Sequence, residues 1–355
     1  MTLTRRSVLT GGSAVAAAGL LGTGCSGRDA SPPRHPDVLA APQPSHAVVA
    51  TLDLGVSGRR PVADTVRRLV TRIDAAAAKV VVGFGASLFD RAGLVDRRPR
   101  QLTAMPPFPG DVLDPARCHG DLLVEVGADS AEAAATAFDG VAGDLPVQWR
   151  MSGFRDGAGV VNERPLSTNL FGFVEGHGNP RPSSVPDIVR VHRRQGEPAW
   201  ATGGSYQVVR IIQFATEMWD RDPVEVQERT IGRRRDGRWL DGTAAGGEPA
   251  FTSDPHGRYT ALDSHVRRAN PRTGPPPPLL RRGYSFRGGR DRTGRDEAGL
   301  LFIAYQRDLA QGFEAVQRRL AGEKLGRYVL TVGGGYFFVP PTGPGFPWWA
   351  GLFDA

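Results

Sequence analysis

The chain has 355 residues, 40% of them hydrophobic and 23% charged, with a net charge of +7 in which lysine is scarce beside arginine. That length suits two domains or one large one, and the composition is that of an ordinary soluble globular protein. The arginines are scattered, no basic helix is interleaved with aromatic residues, and no zinc-finger or RNA-recognition signature is present, which excludes a dedicated nucleic-acid partner.

Residues 1–45 stand apart from the fold. Thr4-Arg5-Arg6-Ser7-Val8-Leu9 opens an Ala/Gly-rich apolar run to about Gly24, and a polar, proline-rich stretch follows to Ser45. This is the layout of an export signal of the twin-arginine kind, which predicts an extracellular or cell-envelope location. The run is too short and too rich in alanine and glycine for a membrane span, and no other segment approaches about 18 apolar residues. Cys25 follows Leu21-Gly22-Thr23-Gly24 and is a candidate lipid tether, with Gly22 where attachment sites carry a large aliphatic residue. Cys118 is the only other cysteine, so the mature chain has no internal disulfide. There is no C-x-x-C-H for covalent haem, no cysteine pair for zinc and no H-E-x-x-H. Cys118, beside His119, reads as a packed residue.

From His46 the periodicity becomes legible. Residues 47–53 (AVVATLD) read as a buried strand. Pro61 sits where a helix can start, and Val66, Leu69, Val70 and Ile73 fall on one face of it. Lys79–Gly83 is a second strand, and after a long loop to Cys118, Asp121–Val126 is a third. Ser130 caps an alanine-rich helix through about Phe138, and Val147–Phe154 returns as a strand. The order is βαββαβ, the ferredoxin-like unit. The second half repeats it with insertions: strand Ser205–Phe214, a short helix over Pro223–Ile231, strand Leu300–Tyr305, a helix starting at Asp308 with Leu309, Phe313, Val316 and Leu320 on one face, and strand Gly335–Val339. The expected fold is α+β: two ferredoxin-like domains in tandem, 46–165 and 166–345, with a tail over 346–355. The large insertion, Arg233–Arg295, is where such a scaffold tends to carry function.

Two stretches hold the chemistry. Asn169–Pro180 (NLFGFVEGHGNP) carries one carboxylate, Glu175, in a glycine-bracketed turn. In residues 261–284, His265 sits between Asp263 and a basic exit of Arg267, Arg268, Arg281 and Arg282. Of the seven histidines, His35 and His46 lie in the linker, His192 in a basic surface stretch, His256 in a loop after Asp-Pro, His177 inside the glycine turn, and His265 in a segment able to form a short helix. From spacing alone, His265 reads as a satisfied core or surface histidine before it reads as a metal ligand.

Gly172-Phe173-Val174-Glu175-Gly176 with Asn179-Pro180 resembles the GxxDG signature of dye-decolorizing peroxidases. Ser264-His265-Val266-Arg267-Arg268-Ala269-Asn270-Pro271-Arg272 resembles the proximal-histidine segment of that family, and Leu280-Arg281-Arg282-Gly283-Tyr284 its distal-arginine segment. Gln227–Gly232, Phe302–Gln306 and Gly333–Phe338 extend the resemblance over about 46–345, with the motifs in the family's order. The resemblance implies a haem b in the C-terminal domain, one per chain. His265 would be its axial iron ligand, and Glu175, Gly176, Arg281 and Asp308 would line it. Asp308 is the candidate partner for the second ring nitrogen of His265, and reads equally as a plain helix N-cap. Glu175 would move the proton of hydrogen peroxide and Arg281 would stabilise charge on the departing oxygen; the alternative for Glu175 is a residue that caps the turn or pairs with Arg281 and moves no proton. The family has aspartate where this chain has Glu175, and His177 stands where a small residue is common, so His177 is either a second acid–base group or part of the wall.

The implied activity is a peroxidase that oxidises bulky aromatic or dye-like reductants, with Trp219, Trp239, Tyr259, Tyr284 and Tyr305 available to carry electrons. The exported branch of the family includes proteins described as deferrochelatases, so a haem-handling protein that releases iron from haem is the alternative. A non-haem binding protein on the same scaffold is the third reading. Assembly as a homo-oligomer is left open.

Overall fold

The structure is a computed structural model that describes residues 39–161, 163–272, 279–290, 294, 296–341 and 350–353. The twin-arginine stretch, Cys25 and part of the 346–355 tail lie outside the described residues. No helix among those described is long and apolar enough to cross a membrane.

The first half runs β1 (His46–Leu52), α1 (Arg59–Ala75), β2 (Lys79–Phe84), α2 (Ala86–Ala92), β3 (Leu122–Ala128), α3 (Ala131–Ala142) and β4 (Val147–Phe154). A three-stranded ribbon follows, β5 (Asp156–Val161), β6 (Arg164–Thr168) and β7 (Val174–Glu175), then α4 (Val185–Val189). The second half runs β8 (Ser205–Phe214), α5 (Thr216–Asp220), α6 (Val224–Ile231), α7 (His265–Ala269), β9 (Leu280–Arg281), β10 (Tyr284–Arg290), β11 (Asp296–Gln306), α8 (Phe313–Leu320) and β12 (Val329–Val339).

Strand order is β4-β1-β3-β2 in the first half and β12-β8-β11-β10 in the second, all antiparallel, so both halves are wound alike. The two sheets meet edge to edge at two seams, Phe84 opposite Phe338 and Ser285 opposite Phe154, and close into one ring. The strands are apolar on both faces because both faces are buried. Val48, Ala50 and Leu52 of β1 pack under the helices with Val62, Val66 and Leu69 of α1, whereas Ala47 and Val49 point inside the ring with Leu123, Val209, Ile211, Ile303 and Phe337.

Two expectations need correction. The strand β10 is absent from the sequence reading because only its first three residues, Tyr284, Ser285 and Phe286, are buried, and the rest is arginine and glycine in solvent. The helix expected from Asp308 begins five residues later, at Phe313. The Asp308 carboxylate accepts from the Gln311 amide at 2.9 Å, so its capping signal is used on a turn that Gly312 then ends.

A third apolar cluster bears directly on function. Phe171, Phe173, Trp219, Ile231, Leu325 and Tyr328 pack together, with Phe214 and Val266 against them. Phe171 stacks on Phe214 with ring centroids 4.0 Å apart, and the Trp219 indole donates to the Phe171 carbonyl at 3.1 Å. One cluster thus supports the glycine turn, through Phe171 and Phe173, and the His265 helix, through Val266.

Candidate active site

His265 opens the short helix α7, and three devices hold that helix in place. Gly232, which ends α6 at φ 96°, leaves room for it: a Cβ there would come within 2.5 Å of Val266 Cγ2 and 2.7 Å of Ser264 Oγ. Arg267 is buried and ties α7 to the preceding loop, donating to the carbonyls of Thr260 (3.0 Å) and Asp254 (2.6 Å) and to the Asp254 carboxylate (3.2 Å). That carboxylate also accepts from the amides of Arg258, Tyr259 and Thr260, which with Arg267 hold it below the usual carboxylate range against the opposing effect of burial. At the other end, Arg319 of α8 donates to the carbonyls of Arg268 and Ala269, both at 3.0 Å, satisfying the free end of the helix.

The imidazole so placed has its Nδ1 2.8 Å from Oε2 of Glu323, a mostly buried carboxylate. A carboxylate can only accept, so Nδ1 carries the proton and Nε2 the lone pair. Nε2 makes no hydrogen bond among the described residues. The partner expected from sequence was Asp308, and the structure corrects this. Asp308 is engaged with Gln311, and Glu323, in the loop after α8, takes its place.

The second stretch is the turn between β6 and β7, where Ser167 pairs with Glu175. Asn169 organises it. Its Oδ1 accepts from the amides of Phe171 and Phe173, both at 3.0 Å, while its Nδ2 donates to Glu175 Oε1 at 2.8 Å. Gly172, Gly176 and Gly178 take φ of 78°, 106° and 76°, which lets the chain double back after each side chain it presents.

Arg281 is fastened to this turn through its backbone and its side chain. Its amide donates to Asn179 Oδ1 at 3.0 Å, Asn179 Nδ2 donates to its carbonyl at 2.8 Å, and its guanidinium donates to the carbonyl of His177. Arg282, just past the end of β9, is turned away from the glycine turn. It is buried and donates to the carbonyls of Leu39 (3.2 Å) and Ala41 (2.7 Å). Of the two adjacent arginines, Arg281 is therefore the one that faces the glycine turn.

Glu175 lies in the field of three arginines. Burial lowers the pKa of Arg155, Arg233 and Arg281, and the Glu175 carboxylate acts on each in the opposite direction. For Arg233, which donates to the Val174 carbonyl, the value falls to about 10. His177 is buried at 9% exposure, its Nδ1 2.9 Å from the carbonyl of Ala245. Burial first, and then Arg233 and Arg281, push its pKa down to about 4. The two stretches are joined by Arg272, whose guanidinium stands beside that of Arg281 over Gly178: a Cβ at Gly178 would be 3.8 Å and 3.7 Å from their Nη2 atoms.

The sequence reading did not assign Glu323, Arg233, Asn169 or Asn179. Asn169 and Asn179 bracket the glycine turn, and that bracketing was a usable signal. Glu323 had none, being 58 residues from His265.

Comparison with known proteins agrees with the motifs. The chain matches the family model "Dyp-type peroxidase, N-terminal" over residues 38–155 and "Dyp-type peroxidase, C-terminal" over residues 166–343. It is similar to a curated protein from Yersinia pestis bv. Antiqua named deferrochelatase, 42% identical over 274 residues, 74% of this chain and 63% of that protein. The chain therefore spans less than two thirds of that relative's length. Among solved structures it is similar to a DyP-type peroxidase from Cellulomonas bogoriensis, with a TM-score of 0.80 and 35% identity, covering 91% of this chain and 97% of that one. It is also similar to DtpA from Streptomyces lividans in an oxyferrous/water mixed complex, with a TM-score of 0.79 and 31% identity, covering 90% and 96%. The resemblance read from residues 172–180 and 264–284 is borne out: the chain belongs to the Dyp-type peroxidase family.

Proposed function

We propose that the chain is a haem peroxidase that holds one haem b, reduces hydrogen peroxide and takes the electrons from a bulky aromatic or dye-like reductant. The observation that carries this reading is the His265 imidazole, with Nδ1 on the Glu323 carboxylate at 2.8 Å and Nε2 left with its lone pair. That donor fits a haem iron, because a neutral imidazole made more basic by a carboxylate on its other nitrogen is the axial ligand haem peroxidases use. When bound, the haem supplies the redox chemistry at iron. The chain supplies the rest. Glu175, held by Asn169, accepts the proton that peroxide gives up, and the Arg281 guanidinium, pinned to the His177 carbonyl, stabilises charge on the oxygen that leaves. Gly176, at φ 106°, turns the chain after Glu175.

The matching strand order of the two halves supports two ferredoxin-like domains, 46–165 and 166–345, with the haem in the second. Residues 1–45 would direct export by the twin-arginine route, with Cys25 as a lipid tether, and within the expected 346–355 tail Ala350–Phe353 is a short helix whose Leu352 is buried in the core of the first half.

A second reading is favoured by two observations, the relative named deferrochelatase and the presence of glutamate at 175. The extra methylene moves the carboxylate by about 1 Å, and misplacement on that scale can cost about a hundredfold in rate. Peroxide turnover would then be slow, and handling of haem iron would be the main activity. Absorption spectra of the haem-loaded protein before and after one equivalent of peroxide separate the two. A haem band that peroxide converts, and that His265→Ala loses, supports the peroxidase. A band that peroxide barely changes supports haem handling, and the absence of any band ends both.

A further inference from the structure

Two like charges are brought together over the glycine turn. The Nη2 atoms of Arg272 and Arg281 stand 3.8 Å and 3.7 Å from the point a Cβ at Gly178 would occupy. Beyond the adjoining residues, they are the only described atoms within 4 Å of that point. Gly178 is itself exposed, at φ 76°, so the point is open to solvent.

Arg272 is braced in this position. Its backbone takes a left-handed φ of 60°, uncommon for a residue with a side chain. Its Nε donates to Glu248 Oε2 at 2.7 Å and its Nη1 to the Asn270 carbonyl at 3.0 Å, while the guanidinium lies 5.8 Å from the ring centre of Trp239. The Nη2 has no hydrogen-bond partner among the described residues. Glu248 is 78% exposed, so solvent screens its hold on the Arg272 charge. Arg281 gives its own Nη2 to the His177 carbonyl, and its Nε and Nη1 have no partner among the described residues. Burial lowers the Arg281 pKa, and the charge of Arg272 lowers it further, against the opposing effect of Glu175. A planar oxyanion set between two such forks relieves their repulsion and accepts charge-assisted bonds from both.

We propose that Arg272 and Arg281 form an anion subsite above Gly178 that takes a carboxylate. The carboxylate belongs either to a side chain of the haem or to a separate organic anion, such as an acidic aromatic reductant. The site itself goes beyond the peroxidase reading, and its first source rests on that reading.

The test compares haem with its dimethyl ester, which lacks free carboxylates. Each is titrated into the full chain and into Arg272→Gln and followed by absorption, and benzoate is then added to the loaded proteins. Wild type is expected to hold haem about 10- to 100-fold more tightly than the ester, the worth of a charge-assisted pair, and Arg272→Gln to lose that preference. This outcome assigns the carboxylate to haem. If the preference is the same in both proteins, but benzoate shifts the haem band of wild type alone, the site stands and its anion is a separate molecule. An Arg272→Gln that alters neither the preference nor the benzoate response overturns the proposal. Should that variant fail to fold, Gly178→Asp decides, because it places a carboxylate of the chain's own in the site at a φ that aspartate tolerates. Gly178→Asp is expected to abolish the same signal and Gly178→Asn to keep it, and like behaviour of the two overturns the proposal. Absence of haem uptake by the wild type defeats the peroxidase reading itself. The subsite is then judged on whether benzoate raises the urea midpoint of wild type and not of Arg272→Gln.

Discussion

The Nδ1 of His265 and the Oε2 of Glu323 lie 2.8 Å apart, and this one contact decides which ring nitrogen can meet a metal. Its partner loop is itself anchored to the α7 region, since Lys324 pairs with Asp263 at 2.9 Å and Arg268 donates to the Ala321 carbonyl at 2.8 Å. The carboxylate therefore approaches the ring from a braced position.

Glu323→Gln should weaken haem retention about 10- to 100-fold, the usual consequence of losing the partner behind a metal-bound histidine. Haem titration followed by absorption gives the affinity. Asp308→Ala is the control and should leave retention unchanged, because its carboxylate is engaged by the Gln311 amide. Equal losses in the two variants would return Asp308 to the site.

Arg281→Leu and Arg282→Leu should separate activity from stability. The first removes the guanidinium facing the glycine turn and is expected to slow the reaction with peroxide about 10²- to 10³-fold, with modest change in urea stability. The second leaves the Leu39 and Ala41 carbonyls and the buried Glu125 without their cation, and should cost about 1–3 kcal/mol in urea unfolding.

Asn169→Ala deletes the acceptor of two turn amides and the donor to Glu175 at once. A loss of about 1–3 kcal/mol is expected, together with slower peroxide reaction. Asn169→Asp should restore the turn while placing a second negative charge against Glu175, so stability and rate should part company.

His177 makes stability depend on pH. Its folded pKa of about 4 lies below the ordinary value of 6.5, so between these values the unfolded chain binds the proton and the folded chain does not. Stability contributed by this group is complete above about pH 6.5 and is lost as pH falls toward 4, by up to about 3 kcal/mol. Urea midpoints of the wild type should fall across that window, and those of His177→Phe should lack this part of the fall.

Much of this was legible in advance where one rule governs a segment. The apolar runs of β1, β3 and β8 declare strands buried on both faces, and the glycines around Glu175 declare a turn. Where two segments distant in sequence had to meet, the chain gave no local sign. The same carboxylate chemistry is offered by Asp308 and Glu323, and only the loop after α8 decides between them. A strand such as β10, half in solvent and rich in arginine, hides its pairing for a related reason: the neighbour that completes it belongs to the other half of the molecule.

The two seams of the ring have a consequence for the order of assembly. β12, the last strand, lies between β8 of its own half and β2 of the other, and its Phe338 makes the join with Phe84. A ribosome releasing the chain from its N-terminus delivers the keystone long after the edge it joins. The first half can acquire its own strand order early, but its β2 edge waits for residues some 250 positions away. Until they emerge, that edge is open to pairing with the wrong strand, so the vulnerable period of the first half lasts until β12 has been made.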